Sequence, residues 1–299
     1  MSILTITDLY KSFGEKQVLR GVSLSVPTGS IFGFVGRNGA GKTTAMKAIL
    51  GLLKTDGGEI TVDGERVRFG ETPTNRCVGY LPDVPEFYSF MTAREYLALC
   101  GEALGMSGAD IREQSEQLLS LVGLSDEKHR IKGYSRGMKQ RLGIAQALLG
   151  SPKLLICDEP TSALDPIGRK EILDILQSVK DRTTVLFSTH ILSDVERICT
   201  DVAFLHDGVI AMQGSVSELK SLYPKEDILV EADTREDCEK LLARFENAEP
   251  IDRDTLRIKG NDDTMRELLT FVAEEQLSIR RIERMEPTLE SLFLEVAAK

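Results

Sequence analysis

Apolar and polar positions alternate along residues 3–9 and 17–26. That two-residue period predicts half-buried antiparallel strands. A continuous apolar run, Ile31-Phe32-Gly33-Phe34-Val35, follows. It leaves no polar face for solvent and reads as a strand buried on both sides. Beyond a glycine-rich stretch, Ala45, Ala48, Ile49 and Leu52 recur at helical spacing. Asp56-Gly57-Gly58 marks a turn, and short strands are predicted near 59–62 and 66–69, broken at Asp63-Gly64. Val78-Gly79-Tyr80-Leu81 is a further strand, ending at Pro82. Helical spacing resumes at 93–104 and 111–121, with Gly105, Ser107 and Gly108 punctuating the gap.

The run Tyr134-Ser135-Arg136-Gly137-Met138-Lys139-Gln140-Arg141 opens another helix. Ser135 stands at its N-cap position, and Leu142, Ala145, Leu148 and Leu149 form its apolar face. The middle of the chain is thus a mainly helical insertion. Lys153-Leu154-Leu155-Ile156-Cys157 and Thr184-Val185-Leu186-Phe187-Ser188-Thr189 are predicted as buried strands, with a helix at 167–180 between them. Residues 202–205 and 209–212 form a hairpin across Asp207-Gly208. Tyr223-Pro224-Lys225 reads as a boundary. After it come a strand at 227–232, a helix at 235–245, strands near 248–252 and 254–259, a helix at 263–276 and a strand at 278–284. That βαββαβ order suggests a small ferredoxin-like domain. A last helix from Thr288 places Leu289, Leu292, Phe293 and Val296 on one face, to pack on its own domain or on a second copy of the chain.

Composition narrows the partners. The net charge is −10, and residues 225–299 hold 20 acidic against 12 basic side chains. No basic stripe offers itself to nucleic acid, and the acidic tail would be repelled by it or by an anionic lipid surface. The five cysteines form no Cys-x-x-Cys pair, which fits a reducing cytosol and suggests neither a disulfide frame nor a zinc site. No apolar stretch reaches the length of a membrane span, so any membrane work needs another polypeptide.

The candidate chemistry lies at the ends of the buried strands. Gly36-Arg37-Asn38-Gly39-Ala40-Gly41-Lys42-Thr43-Thr44 has the spacing of a phosphate loop, with a strand before it and a helix after it. Gly36, Gly39 and Gly41 let the backbone turn close to a ligand. Successive N–H groups and a helix start then favour a polyphosphate. Lys42 supplies a point charge, and Thr43 a hydroxyl for Mg2+. Asp158 and Glu159 end an apolar strand, where they would hold Mg2+ and polarise an attacking water. His190 ends the next strand, placed to contact a γ-phosphate. Phe13, before Gly14, would either stack on a base or staple the sheet.

In their order along the chain, Gly36 to Thr44, Tyr134 to Arg141, Leu154 to Glu159, Ser162 to Asp165 and finally His190 resemble the nucleotide-binding subunit of an ATP-binding-cassette (ABC) transporter. The resemblance covers residues 1–222. It implies an α/β phosphate-loop ATPase with a mixed core sheet, an antiparallel β subdomain and a helical subdomain at about 83–150, followed by a small α+β accessory domain at 223–299. It also implies ATP and Mg2+ as ligands. Phe13 then matches the adenine-stacking aromatic. Gly36, Asn38, Gly39, Gly41, Lys42, Thr43 and Thr44 match the phosphate contacts. Thr43, Asp83 and Asp158 match the metal side, Glu159 the catalytic base and His190 the switch histidine. Ser135 and Gly137 match the signature that meets the γ-phosphate held by an opposite subunit. Asp165 matches the subunit-crossing loop.

Two positions depart from the family pattern. Tyr-Ser-Arg-Gly-Met stands where Leu-Ser-Gly-Gly-Gln is usual, and Asp83 stands where a glutamine is usual. Gly79-Tyr80-Leu81-Pro82, Phe90-Met91-Thr92-Ala93-Arg94-Glu95 and Pro287-Thr288-Leu289-Glu290-Ser291-Leu292-Phe293 resemble a bacterial group that pairs such a subunit with a separate permease, often for efflux. The implied protein is a homodimeric ATPase, cytoplasmic and peripheral on the inner face of the membrane, binding no nucleic acid. A soluble assembly ATPase is the alternative reading. A small-molecule kinase would leave the signature helix unexplained.

Overall fold

The computed structural model describes residues 1–70, 73–221, 227–285, 288–290 and 292–293. The chain divides into two compact units, residues 1–217 with 293–299 and residues 218–292.

The first unit begins with β1 (Ser2–Phe13) and β2 (Lys16–Pro27), then β3 (Ile31–Val35), α1 (Lys42–Ile49), β4 (Gly57–Val62), β5 (Glu65–Arg66) and β6 (Val78–Leu81). The helices α2 (Ala93–Ala103), α3 (Gly108–Leu121) and α4 (Arg136–Leu148) follow. Then come β7 (Leu154–Asp158), α5 (Pro166–Ser178), β8 (Thr184–Thr189), α6 (Leu192–Ile198), β9 (Asp201–His206) and β10 (Val209–Ser215), and the boundary between the units falls within α7 (Val216–Ser221). Two sheets form. The larger has the order β10-β9-β3-β8-β7-β6, parallel except for β10, and the smaller the order β2-β1-β4-β5, all antiparallel. Every residue of β3, β7 and β8 is buried, with the apolar runs filling the sheet and Asp158, Thr184, Ser188 and Thr189 buried at the strand ends. Leu4, Ile6 and Leu24 of the smaller sheet pack with Phe32, Phe34 and Leu186 of the larger in one core, under α1 residues Met46 and Ile49.

Two expectations change. The strand predicted at 66–69 shrinks to Glu65–Arg66. Past it, Val67 N donates to the Ile60 carbonyl, and Gly70 N donates to Gly51 O at 2.9 Å, drawing the chain off the sheet edge. Leu52, expected on the apolar face of α1, is 63 % exposed, because α1 stops at Ile49 and Gly51 turns the chain at φ 68°.

The second unit contains β11 (Asp227–Ala232), α8 (Arg235–Arg244), β12 (Ala248–Asp252), β13 (Thr255–Lys259), α9 (Asp262–Glu274) and β14 (Ile279–Arg284). Its strand order is β12-β13-β11-β14, with every neighbouring pair antiparallel. That is the split βαβ arrangement, in which two crossover helices cover one face of the sheet. Strand β11 alternates half-buried and buried positions, and Ile228 and Val230 pack against Leu241, Leu268 and Phe245. Tyr223-Pro224-Lys225 and Val296 lie outside the described residues. Leu289 and Leu292 are buried. Phe293 belongs to the first unit, its ring 5.4 Å from that of Phe204, so this residue departs from the packing on its own domain expected for the last helix.

Candidate functional site

The glycine loop joins the end of β3 to α1. Gly41 caps α1 at φ 111°, a conformation that L side chains rarely adopt, and a Cβ there would lie 2.9 Å from Leu19 Cδ2. A Cβ on Gly36 would lie 2.7 Å from the Leu205 carbonyl oxygen. Gly41 is therefore required for conformation and space, and Gly36 for space. The Lys42 ammonium folds back inside the loop, donating to Gly36 O at 2.7 Å and reaching Glu159 Oε1 at 3.0 Å. Glu159 Oε1 is sealed from solvent without a hydrogen bond of good angle, so this ion pair is what compensates it.

Strands β7 and β8 deliver the remaining groups side by side. Asp158, only 2 % exposed, accepts from Thr43 Oγ1 at 2.7 Å through Oδ2 and from Ser188 Oγ at 2.6 Å through Oδ1. Ser188 Oγ also accepts from Glu159 N at 3.0 Å. His190 Nδ1 lies 2.9 Å from Glu159 Oε2, with the imidazole N–H donating to the carboxylate. Glu159 holds φ 48°, an uncommon conformation for a non-glycine residue. Such strain persists only where surrounding contacts enforce it, and functional sites are where it gathers. Behind it, Asp194, 1 % exposed, accepts from Thr161 Oγ1 at 2.8 Å and Arg169 Nε at 2.6 Å, fixing the turn that follows Glu159.

Lys42, Thr43, Asp158, Glu159 and His190 are thus brought together, with Ser188 bridging Asp158 to the Glu159 backbone. Asp83 stands at the margin of this cluster. Burial lifts its carboxyl above the ordinary aspartate value, Arg136 opposes this, and Asp158 and Glu159 add to it. Phe13 lies apart, at the β1–β2 turn, 51 % exposed with Lys11 Nζ 5.1 Å from its ring centre. Ser135 caps α4 by accepting from Met138 N at 3.2 Å, and Asp165 caps α5 by accepting from Gly168 N at 3.1 Å. Gly137 has open space around it apart from Leu164 Cδ2 at 4.0 Å. Asn38 sits in the exposed turn of the loop, and Thr44 in the first turn of α1. Ser188, which bridges Asp158 to the Glu159 backbone, is the member of this cluster that motif spacing passed over, and its signal was a hydroxyl facing the strand that ends in Asp158.

The Thr43 hydroxyl and the Asp158 carboxylate, 2.7 Å apart, are oxygen donors of the kind Mg2+ takes, although among the described residues no three or more His, Cys, Asp or Glu side chains gather into a group that could hold a metal ion. Backbone N–H groups beside a lysine suit a polyphosphate. Together they describe a phosphate-loop ATPase site built on a parallel sheet.

Comparison with known proteins agrees. Residues 19–162 match the family model described as ABC transporter, and the chain belongs to the ATP-binding proteins of that family, whose domains hydrolyse ATP. Residues 214–297 match a second model, described as the C-terminal domain of ATP-binding protein DrrA1-3-like. The chain is 45 % identical over 219 residues to an uncharacterized ABC transporter ATP-binding protein, YxlF, of Bacillus subtilis, covering 73 % of this chain and 72 % of that one. It is 34 % identical to the bacitracin transport ATP-binding protein BcrA of Enterococcus faecalis, covering 97 % of this chain and 95 % of that one. A solved structure of the ATP-binding subunit of an ABC transporter superposes with TM-score 0.65 at 32 % identity, over 74 % of this chain and 93 % of that one.

Proposed function

We propose that the chain is the ATPase subunit of a transporter whose membrane spans reside on a separate permease chain, and that it powers export of a small molecule, ion, drug or lipid-like substrate. The observation that carries this reading is the convergence of Lys42, Thr43, Asp158, Glu159 and His190 at the ends of β3, β7 and β8. Among the described residues no helix is long and apolar enough to cross a membrane, so the spans would come from the partner. Similarity to a bacitracin transport ATP-binding protein over nearly the whole chain supports the transport reading. Residues 1–222 serve as the ATPase domain and residues 223–299 as an accessory domain. The subunit acts from the cytoplasmic side, held at the membrane through its permease.

In this reading an arriving polyphosphate takes the Lys42 ammonium away from Gly36 O and Glu159. Freed of its ion pair, Glu159 accepts a hydrogen bond from the attacking water and draws its proton, while His190 orients the carboxylate through Oε2. Thr43, Asp158 and Asp83 would hold Mg2+, which would supply charge neutralisation on the phosphates. Phe13 stacks on the base. Asn38 and Thr44 add polar contacts to the loop. Ser135 and Gly137 lie on α4, remote in sequence from the loop, and complete the site on a second copy of the chain. Two ATP molecules are thereby clasped between two head-to-tail subunits. Exposed Val84, Tyr88 and Phe90, at 63, 54 and 61 %, surround the turn after Asp83 and offer an apolar seat for a cytoplasmic segment of the permease.

Glu159→Gln removes the base and keeps the shape. In Mg-ATP this variant should bind nucleotide, release almost no phosphate and elute as a dimer. Hydrolysis at the parental rate would exclude Glu159 as the base.

A further inference from the structure

Helix α4 carries three residues on one face at helical spacing, Arg136, Gln140 and Gly143, and all three meet the short segment from Leu81 to Pro85. Arg136 Nη2 lies 3.8 Å from Asp83 Oδ1. Gln140 Nε2 donates to the Asp83 backbone carbonyl at 2.9 Å. Gly143 lets the helix approach, since a Cβ there would lie 2.5 Å from Leu81 Cδ1 and 3.3 Å from Pro85 Cβ. Asp83, Arg136 and Gln140 line one cleft of about 450 Å3.

Gln140 is the telling member. It is fully buried at 0 % exposure, yet its Oε1 finds no hydrogen-bond partner. A buried amide left half-satisfied costs stability that an apolar side chain of the same volume would not. Its hydrogen bond to Asp83 is therefore better explained by placement of that segment than by stability. Arg136 adds a charge contact to the same residue, so the segment is held at its backbone and at its carboxylate.

We propose that Gln140 and Arg136 are positioning residues. They fasten the Asp83 segment to α4, so that a shift of Asp83 on nucleotide binding is passed along the helix to its Ser135–Gly137 end. This rests on the functional reading above, in which Asp83 faces one nucleotide and Ser135 another. The two departures from the family pattern, Asp83 and Arg136, then act as one pair. Both side chains are 47 % exposed, so the pair acts by geometry more than by charge compensation.

The test uses the full chain with Gln140→Met, which keeps the volume and loses the donor, and with Arg136→Gln, an exposed site that cannot empty the core. Amide hydrogen exchange at residues 83–90 is measured without nucleotide, ATP affinity on the monomer, and ATP-driven dimerisation in the Glu159→Gln background. Gln140→Met should speed exchange there about fivefold or more and weaken dimerisation about tenfold, with ATP affinity held within about twofold, as expected for loss of a buried hydrogen bond. Arg136→Gln should act in the same direction by about two- to fivefold, the range of an exposed ion pair. Exchange and dimerisation both at parental values in the folded variants would overturn the proposal. If the Glu159→Gln parent itself fails to dimerise, the functional reading falls. The exchange measurement then decides the tether by itself, with faster exchange supporting it and unchanged exchange overturning it.

Discussion

The two units place their charges differently. In the first, Asp158 and Lys42 are 2 % and 6 % exposed, and each has its partners fixed by strand ends and the glycine loop. In the second, Asp237 is 9 % exposed and bonded to Thr234, while other charges pair on the surface. Lys259 and Glu249 meet at 2.5 Å with side chains 52 % and 54 % exposed, and Arg280 meets Glu231 at 2.6 Å with 56 % and 28 %. Burying an ion costs several kcal/mol unless surrounding groups replace water, so a chain keeps one only where something else requires it. Exposed pairs carry little of that cost and little of that meaning. The cluster around Lys42 and Asp158 belongs to the first unit, and the second is built on an apolar core of its own.

This contrast can be broken most forcefully at Glu159. Glu159→Gln should lower steady-state phosphate release by about 100- to 10,000-fold, the worth of a general base. Next in size is Leu268→Ala in the core of the second unit, where the side chain is 0 % exposed. It should cost that unit about 2–5 kcal/mol in denaturant unfolding, while the ATP affinity of the first unit stays at the parental value. A change in affinity equal to the loss of stability would erase the distinction between the units.

A pH titration sharpens it further. Burial pushes the phenols of Tyr80 and Tyr96 up to about 12 from 10.0, with Asp158 adding to Tyr80 and Cys100 to Tyr96. Both belong to the first unit. Above pH about 10 the folded form therefore keeps protons that the unfolded chain releases, so stability contributed by these groups is complete below that pH and is lost as pH rises toward about 12. Absorbance of phenolate should lag behind that of the denatured chain across this window, and coincident curves would contradict the burial. The smallest effect is expected from Arg280→Gln, which should change stability by less than about 1 kcal/mol and shrink further in high salt.

Much of this was legible in the chain itself because local rules and tertiary packing agree there. Runs apolar on both faces read as central strands, and glycines spaced around Lys42, between a strand and a helix, read as a loop that approaches a ligand. The ends of elements were less legible. Leu52 satisfied the helical period, yet Gly51 ends α1 before Leu52 can turn inward. The strand beyond Arg66 was lost to a backbone bond between Gly70 and Gly51, a contact that periodicity cannot see. Within the site, motif spacing marked Lys42, Asp158 and Glu159 but passed over Ser188, whose importance comes from strand register, with Asp158 paired to Ser188 across β7 and β8. Asp83 and Arg136 each read as an isolated oddity in sequence. Only the packing of α4 on the Leu81–Pro85 segment brings them together.

In the proposed dimer each nucleotide is held by the phosphate loop of one chain and by Ser135 and Gly137 of the other. Mixing two inert variants tests it. Lys42→Ala removes the loop charge, and Ser135→Asp keeps the cap of α4 while turning a negative charge toward the phosphate. Each variant alone should hydrolyse almost no ATP, and a one-to-one mixture should regain measurable turnover, because a mixed dimer contains one intact site. A mixture as inert as its components, with the parent turning over at full rate as a monomer, would contradict the account.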